Sequence, residues 1–78
     1  MSERRFALID FTTPRAGGFV WHKAGEFCLL SPAEARAAEQ REFVALYKPL
    51  NWTRPSVADP SATITAAEIA RAQAELRR

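Results

Sequence analysis

At 78 residues, with a net charge of +2 and a single cysteine, the chain has room for one domain at most. A chain near this size buries only roughly 60% of the surface its unfolded form exposes, so its core is thin. Cys28 alone excludes an internal disulfide, and with the lone His22 it falls short of the four ligands of a tetrahedral zinc site. Small scaffolds lean on a disulfide, a metal or a partner, and a partner is what remains.

Charges of both signs are interspersed, as in Arg36, Glu39, Arg41 and Glu42, and the only basic runs are Arg4-Arg5 and Arg77-Arg78. That disfavours nucleic acid as the main ligand. The apolar run from Phe27 to Leu30 is too short to cross a bilayer. The opening Met-Ser-Glu-Arg-Arg leads into no apolar segment of signal-peptide type. Synthesis in a reducing cytoplasm is the expectation, consistent with one unpaired thiol. No membrane partner, metal or cofactor is expected.

In chain order, Arg5 to Phe11 is rich in β-formers and predicts a first strand with Phe6 and Leu8 on one face. Residues 12 to 18, with Pro14 and Gly17-Gly18, read as a flexible loop. Phe19 to His22 predicts a second strand and Glu26 to Leu30 a third, joined as a hairpin through Lys23-Ala24-Gly25, with Gly25 at positive φ. Ser31-Pro32-Ala33-Glu34 has the form of a capping box with proline at the first helical position. It predicts a helix from Pro32 to about Gln40. Its alanines allow close approach to a sheet, and Glu34, Arg36 and Glu39 face water. Phe43 to Tyr47 predicts a fourth strand, stopped by Pro49.

Residues 49 to 64 read differently. Three prolines, at 49, 55 and 60, favour an extended arm. A stretch that long without elements of its own is usually functional or disordered. Thr65-Ala66-Ala67-Glu68 is a second capping box, flanked by Ile64 and Ile69 as a hydrophobic staple. It opens a helix from Ala66 to about Arg77 with Ile69, Ala72 and Leu76 on one stripe. The expected fold is α+β: a small, mainly antiparallel sheet with one packed helix over residues 1–48, a proline-rich arm over 49–64 and a C-terminal helix over 65–78.

Catalysis finds little support in the sequence. His22 has no nominated nucleophile or carboxylate and reads as an edge or surface histidine. Cys28 reads as a small core residue. Glu34 and Glu68 are accounted for by helix capping. Trp21, Phe19 and Tyr47 lack interleaved basic residues and read as core packing. Trp52 is different, since a tryptophan among prolines is either folded onto its own core or inserted into a neighbour. With Arg54 nearby, it fits the residue types enriched at binding hot spots. Leu50, Trp52, Arg54, Val57, Ile69 and Leu76 are therefore the candidate partner-binding residues.

The residues Gly25-Glu26, Leu29, Ser31-Pro32-Ala33-Glu34-Ala35 and Phe43-Val44-Ala45 form a pattern of turn, apolar strand, capped helix and short apolar strand. In that pattern residues 19–48 resemble a family of small bacteriophage proteins encoded among head and neck genes. The resemblance implies a virion or assembly role and names no site. The expected function is a non-enzymatic virion protein that binds other protein subunits, or copies of itself. Two alternatives belong to other classes: a phage-encoded inhibitor or regulator of one host protein, and a small nucleic-acid binder using Arg4, Arg5, Arg15 and Lys23.

Overall fold

The computed structural model describes residues 2–55 and 62–77. The class is α+β, with small antiparallel sheets of five strands in all and two helices among those residues. The elements run β1 (Glu3–Ala7), β2 (Phe11–Arg15), β3 (Gly18–His22), β4 (Phe27–Leu30), α1 (Pro32–Gln40), β5 (Val44–Ala45) and α2 (Ala66–Leu76). One sheet has the order β4-β1-β5, and β2 pairs with β3 in a second.

Strand pairing departs from the expected hairpin. β3 pairs with β2, and β4 pairs with β1. The single first strand expected over 5–11 is two strands, one in each sheet. The break between them is pinned by polar bonds: the Asp10 carboxylate accepts from the Ala24 N–H at 2.7 Å, and the Leu8 N–H donates to the Phe43 carbonyl at 2.8 Å. The expected loop at 12–18 is instead strand β2 as far as Arg15, the turn Ala16-Gly17, and the start of β3 at Gly18.

Gly25 does adopt positive φ, at 88°. Its N–H donates to the Ala7 carbonyl at 2.9 Å, while the Ala7 N–H donates to the Glu26 carbonyl at 3.0 Å. Two residues thus oppose one, a bulge whose first residue is a left-handed glycine. The 23–26 turn steers the chain onto β1 rather than folding β4 back on β3. A Cβ at Gly25 would also lie 3.0 Å from Trp52 Cη2 and 3.3 Å from Arg54 Nη2. Gly25→Ala is expected to cost about 2 kcal/mol, measured by chemical denaturation.

The register sorts the three-stranded sheet into two faces. Residues paired directly across strands share a face. Arg4, Phe6, Phe27, Leu29 and Ala45 form the outer face; Arg5, Ala7, Cys28, Leu30 and Val44 form the inner one. α1 covers the inner face, and Ala7, Leu30 and Val44 join Ala33, Ala35, Ala37 and Ala38 in the core. The alanines are buried nearly all round the helix because α2 packs on α1 as well, through Ala72 and Ile69. Ion pairs fasten the two helices, Arg36 to Glu75 and Arg41 to Glu68, each at 2.8 Å.

Both capping boxes form as the local sequence predicts. α1 ends at Arg41 in a Schellman motif: the Phe43 N–H donates to the Ala38 carbonyl and the Glu42 N–H to the Glu39 carbonyl. Glu42 sits at φ 60°, the position glycine usually takes. Glu42→Gly is expected to raise stability by about 1 kcal/mol, seen as a higher denaturation midpoint. The fourth strand shrinks from the expected 43–47 to Val44–Ala45, since only these pair with β1.

The described parts of 49–64 do not reach away from the core. Ala62 and Ile64 are buried, and residues 62–64 lie parallel to β2, with the Thr12 N–H donating to Ala62 O and the Ile64 N–H to Thr12 O. Phe11 and Thr13 are fully buried, Phe11 against the His22 and Phe43 rings and Thr13 hydrogen-bonded to His22.

Candidate functional site

Two places gather chemistry-bearing residues. The first is a polar cluster where the β2–β3 ribbon meets α1. His22 Nε2 and Thr13 Oγ1 share a hydrogen bond of 2.9 Å, and the imidazole stacks on Phe11 with ring centroids 4.8 Å apart. Beside it, Arg15 forms an ion pair with Glu34. The Glu34 carboxylate also accepts from the Ser31 N–H at 2.9 Å, while Ser31 Oγ accepts from the Glu34 N–H.

Both His22 and Glu34 differ from their expected placement. His22 is buried rather than at the surface, and Glu34 is buried rather than facing water. Burial pulls the His22 pKa below its ordinary value, and the Arg15 guanidinium pulls it the same way, against the opposing pull of Glu34. Burial of Glu34 favours its neutral form, yet the Ser31 and Arg15 hydrogen bonds win and hold the carboxyl below its ordinary value. Cys28 is half-buried; burial raises its thiol pKa, and Sγ approaches the Arg5 carbonyl at 3.5 Å.

A histidine against a hydroxyl has the outline of a nucleophile and its base. Here the hydroxyl is fully enclosed, so no substrate carbonyl reaches it. Every buried side-chain nitrogen and oxygen among the described residues has a partner. The cluster ties the ribbon to the helix. No group of three His, Cys, Asp or Glu side chains among the described residues is arranged to hold a metal.

The second place is the outer face of the three-stranded sheet. Trp52 lies against it: Nε1 donates to the Leu8 carbonyl at 3.1 Å, and the indole meets Phe6 edge-on with centroids 5.1 Å apart. Phe6 is thereby buried, with Phe27 on its other side at 5.3 Å. Beyond the indole the face stays open. Leu29 is 66% exposed and Tyr47 79%, with Phe27 and Leu46 also exposed. The Arg4 guanidinium lies 4.1 Å from the Phe27 ring centroid. Arg4, Phe27, Leu46 and Tyr47 line a shallow depression of about 240 Å³.

The candidate partner-binding residues are scattered by the fold. Leu50 is fully exposed, close in sequence to Tyr47. Trp52 is half-buried on its own sheet, and the exposed Arg54 reaches toward Gly25. Ile69 packs against the core, Leu76 is exposed near the end of α2, and Val57 lies outside the described residues. Phe19, Trp21 and Tyr47, expected in the core, are exposed. Their apolar character misled because β3 and the segment after β5 keep one side uncovered. The useful signal was the count of elements: two short helices cannot cover both faces of two sheets.

No helix among the described residues is long and apolar enough to cross a membrane. Comparison with protein-family models, with curated proteins and with solved structures found no match.

Proposed function

We propose that this chain is a non-enzymatic protein-binding module that docks on a neighbouring protein subunit through the outer face of its three-stranded sheet. The observation that carries this reading is the open apolar surface of Phe27, Leu29, Leu46 and Tyr47 beside Arg4. Tyr, Phe and Arg are the residue types enriched at protein interfaces, and a contiguous apolar patch of this kind marks an interaction site. Leu50 extends the same segment and joins the contact. The resemblance of residues 19–48 to small phage head and neck proteins makes a virion the natural setting, with other virion subunits as partners.

Distribution of charge favours this reading over nucleic acid. Arg5 and Arg15 are engaged with Glu39 and Glu34, and Arg4 is stacked on Phe27. Those cations are less available to neutralise phosphates, the main source of nucleic-acid affinity.

The test is size-exclusion chromatography with light scattering, on the chain alone and mixed with the products of the genes flanking its own. Co-elution with one of them is expected, and Leu29→Glu should weaken it about tenfold or more without lowering the denaturation midpoint. Absence of any assembly partner, or assembly indifferent to Leu29→Glu, would remove the proposal.

A further inference from the structure

The free edge of β3 carries a second surface, independent of the one just described. Its backbone phase follows from the other side of the ribbon. The Thr12 N–H and C=O are both committed to residues 62–64. Thr12 therefore makes no ladder bonds to its partner across the strand, Trp21. Two residues on, Pro14 faces Phe19 and has no N–H to offer. Phe19 and Trp21 thus point their own N–H and C=O groups away from β2, along the outer edge. Among the described residues nothing pairs with that edge.

The same two residues expose their side chains. Phe19 is 62% and Trp21 56% exposed, and their rings meet edge-on with centroids 6.1 Å apart. Natural sheets guard free edges with lysine, proline or a bulge inside the strand. Gly18-Phe19-Val20-Trp21-His22 has none of these, and none of its residues is Lys, Arg, Asp or Glu.

We infer that the occupant of this edge is a second copy of the chain, with β3 paired antiparallel to β3 about a two-fold axis through Val20. In that register Phe19 faces Trp21 of the second copy and Trp21 faces its Phe19. These are the residues whose backbone groups point outward, so each pair exchanges two N–H···O=C hydrogen bonds. Neighbouring registers would bring together fewer of the outward groups. The four rings form one two-by-two cluster on one face of the joined sheet, where cross-strand aromatic pairs are favourable. A two-fold axis brings any charge on the strand close to its own copy, where like charges repel; the strand has no Lys, Arg, Asp or Glu to do so. Each ribbon, with its 62–64 segment, becomes half of one continuous sheet. A five-residue edge falls short of the roughly 1,200 Å² of a standard interface, which places the dimer among weak ones, with a Kd on the order of 100 µM.

The test is amide hydrogen exchange on the full chain at about 10 µM and about 1 mM, with sedimentation equilibrium at the same concentrations. At that Kd about four-fifths of the chains pair at the higher concentration, so the Phe19 and Trp21 amides should exchange about fourfold more slowly there. The Val20 amide, bonded within the ribbon, should not change. Mass should rise from the 8.7 kDa of one chain toward twice that. Trp21→Lys should stay at one-chain mass, and Tyr47→Lys on the other surface should still dimerise. A single-chain mass throughout, a dimer that leaves the Phe19 and Trp21 amides unchanged, or dimerisation intact in a folded Trp21→Lys variant would each overturn the inference. If Trp21→Lys does not fold, the wild-type exchange pattern decides. Loss of subunit binding through the outer sheet face would leave this result unaffected, so the two proposals fail separately.

Discussion

Trp52→Ala is expected to lower the stability of the folded chain by about 3 kcal/mol, the low end for removing a large aromatic from a packed site. The indole is only half-buried, which sets the low end. Its loss strips the cover from Phe6, whose burial depends on the ring lying edge-on 5.1 Å away. It also removes the hydrogen bond from Nε1 to the Leu8 carbonyl. For a domain of this size the change corresponds to a fall in melting temperature of more than about 12 °C. Trp52→Phe keeps most of the ring contact and loses the donor, so about 1 kcal/mol is expected from it beyond the trimmed area. A melting temperature unmoved by Trp52→Ala would place the indole off its own sheet and reopen its role as an anchor in another molecule.

Glu34→Ala is the second large effect, about 2–3 kcal/mol. One carboxylate completes the α1 capping box and pairs with Arg15 at the end of β2. Removal leaves the Ser31 N–H and the Arg15 guanidinium short of a partner. Because Arg15 is partly exposed, water takes over some of its solvation, which keeps the loss below that of a fully buried pair. The capping part is local and the ion pair long-range, so Arg15→Ala should reproduce only part of the cost.

The same groups set the response to acid. His22 and Glu34 both have folded pKa values below their ordinary ones. In each case the unfolded chain binds the proton more readily, so stability rises with pH across the interval between the two values. The His22 contribution is complete above about pH 6.5 and is lost as pH falls toward its folded value. The contribution of Glu34, joined by Glu68, is complete above about pH 4.5 and is lost below it. Unfolding free energy should therefore fall in two steps on acidification. His22→Phe should remove the upper step, and a single step near pH 4 in the wild type would contradict the burial of His22.

What the sequence disclosed was what neighbouring residues decide among themselves. Ser31 and Glu34, or Thr65 and Glu68, satisfy each other within one helical turn, so both helix starts were legible. Gly25 was legible as a left-handed residue for the same reason. Which strand β4 would join was not, because the bulge at Gly25 closes on Ala7, far away in the chain. Pro14 read as a strand breaker, yet it faces Phe19 at a position where no donor is needed. Trp52 was ambiguous by sequence because its neighbours are prolines that carry no pattern. Only the contact with Phe6 decides it. The open surfaces were the hardest to foresee. Leu29 and Leu30 are adjacent and identical in type, and strand alternation puts one outside and the other in the core.

The most direct test of the outer sheet face as the docking surface is an amide chemical-shift titration of the ¹⁵N-labelled chain with its co-eluting partner subunit. Perturbed amides should cluster at Arg4, residues 27–29 and residues 46–50, leaving α2 and the β2–β3 ribbon unchanged. Perturbations confined to α2, or to the cluster of His22, Thr13 and Glu34, would contradict the assignment of that face.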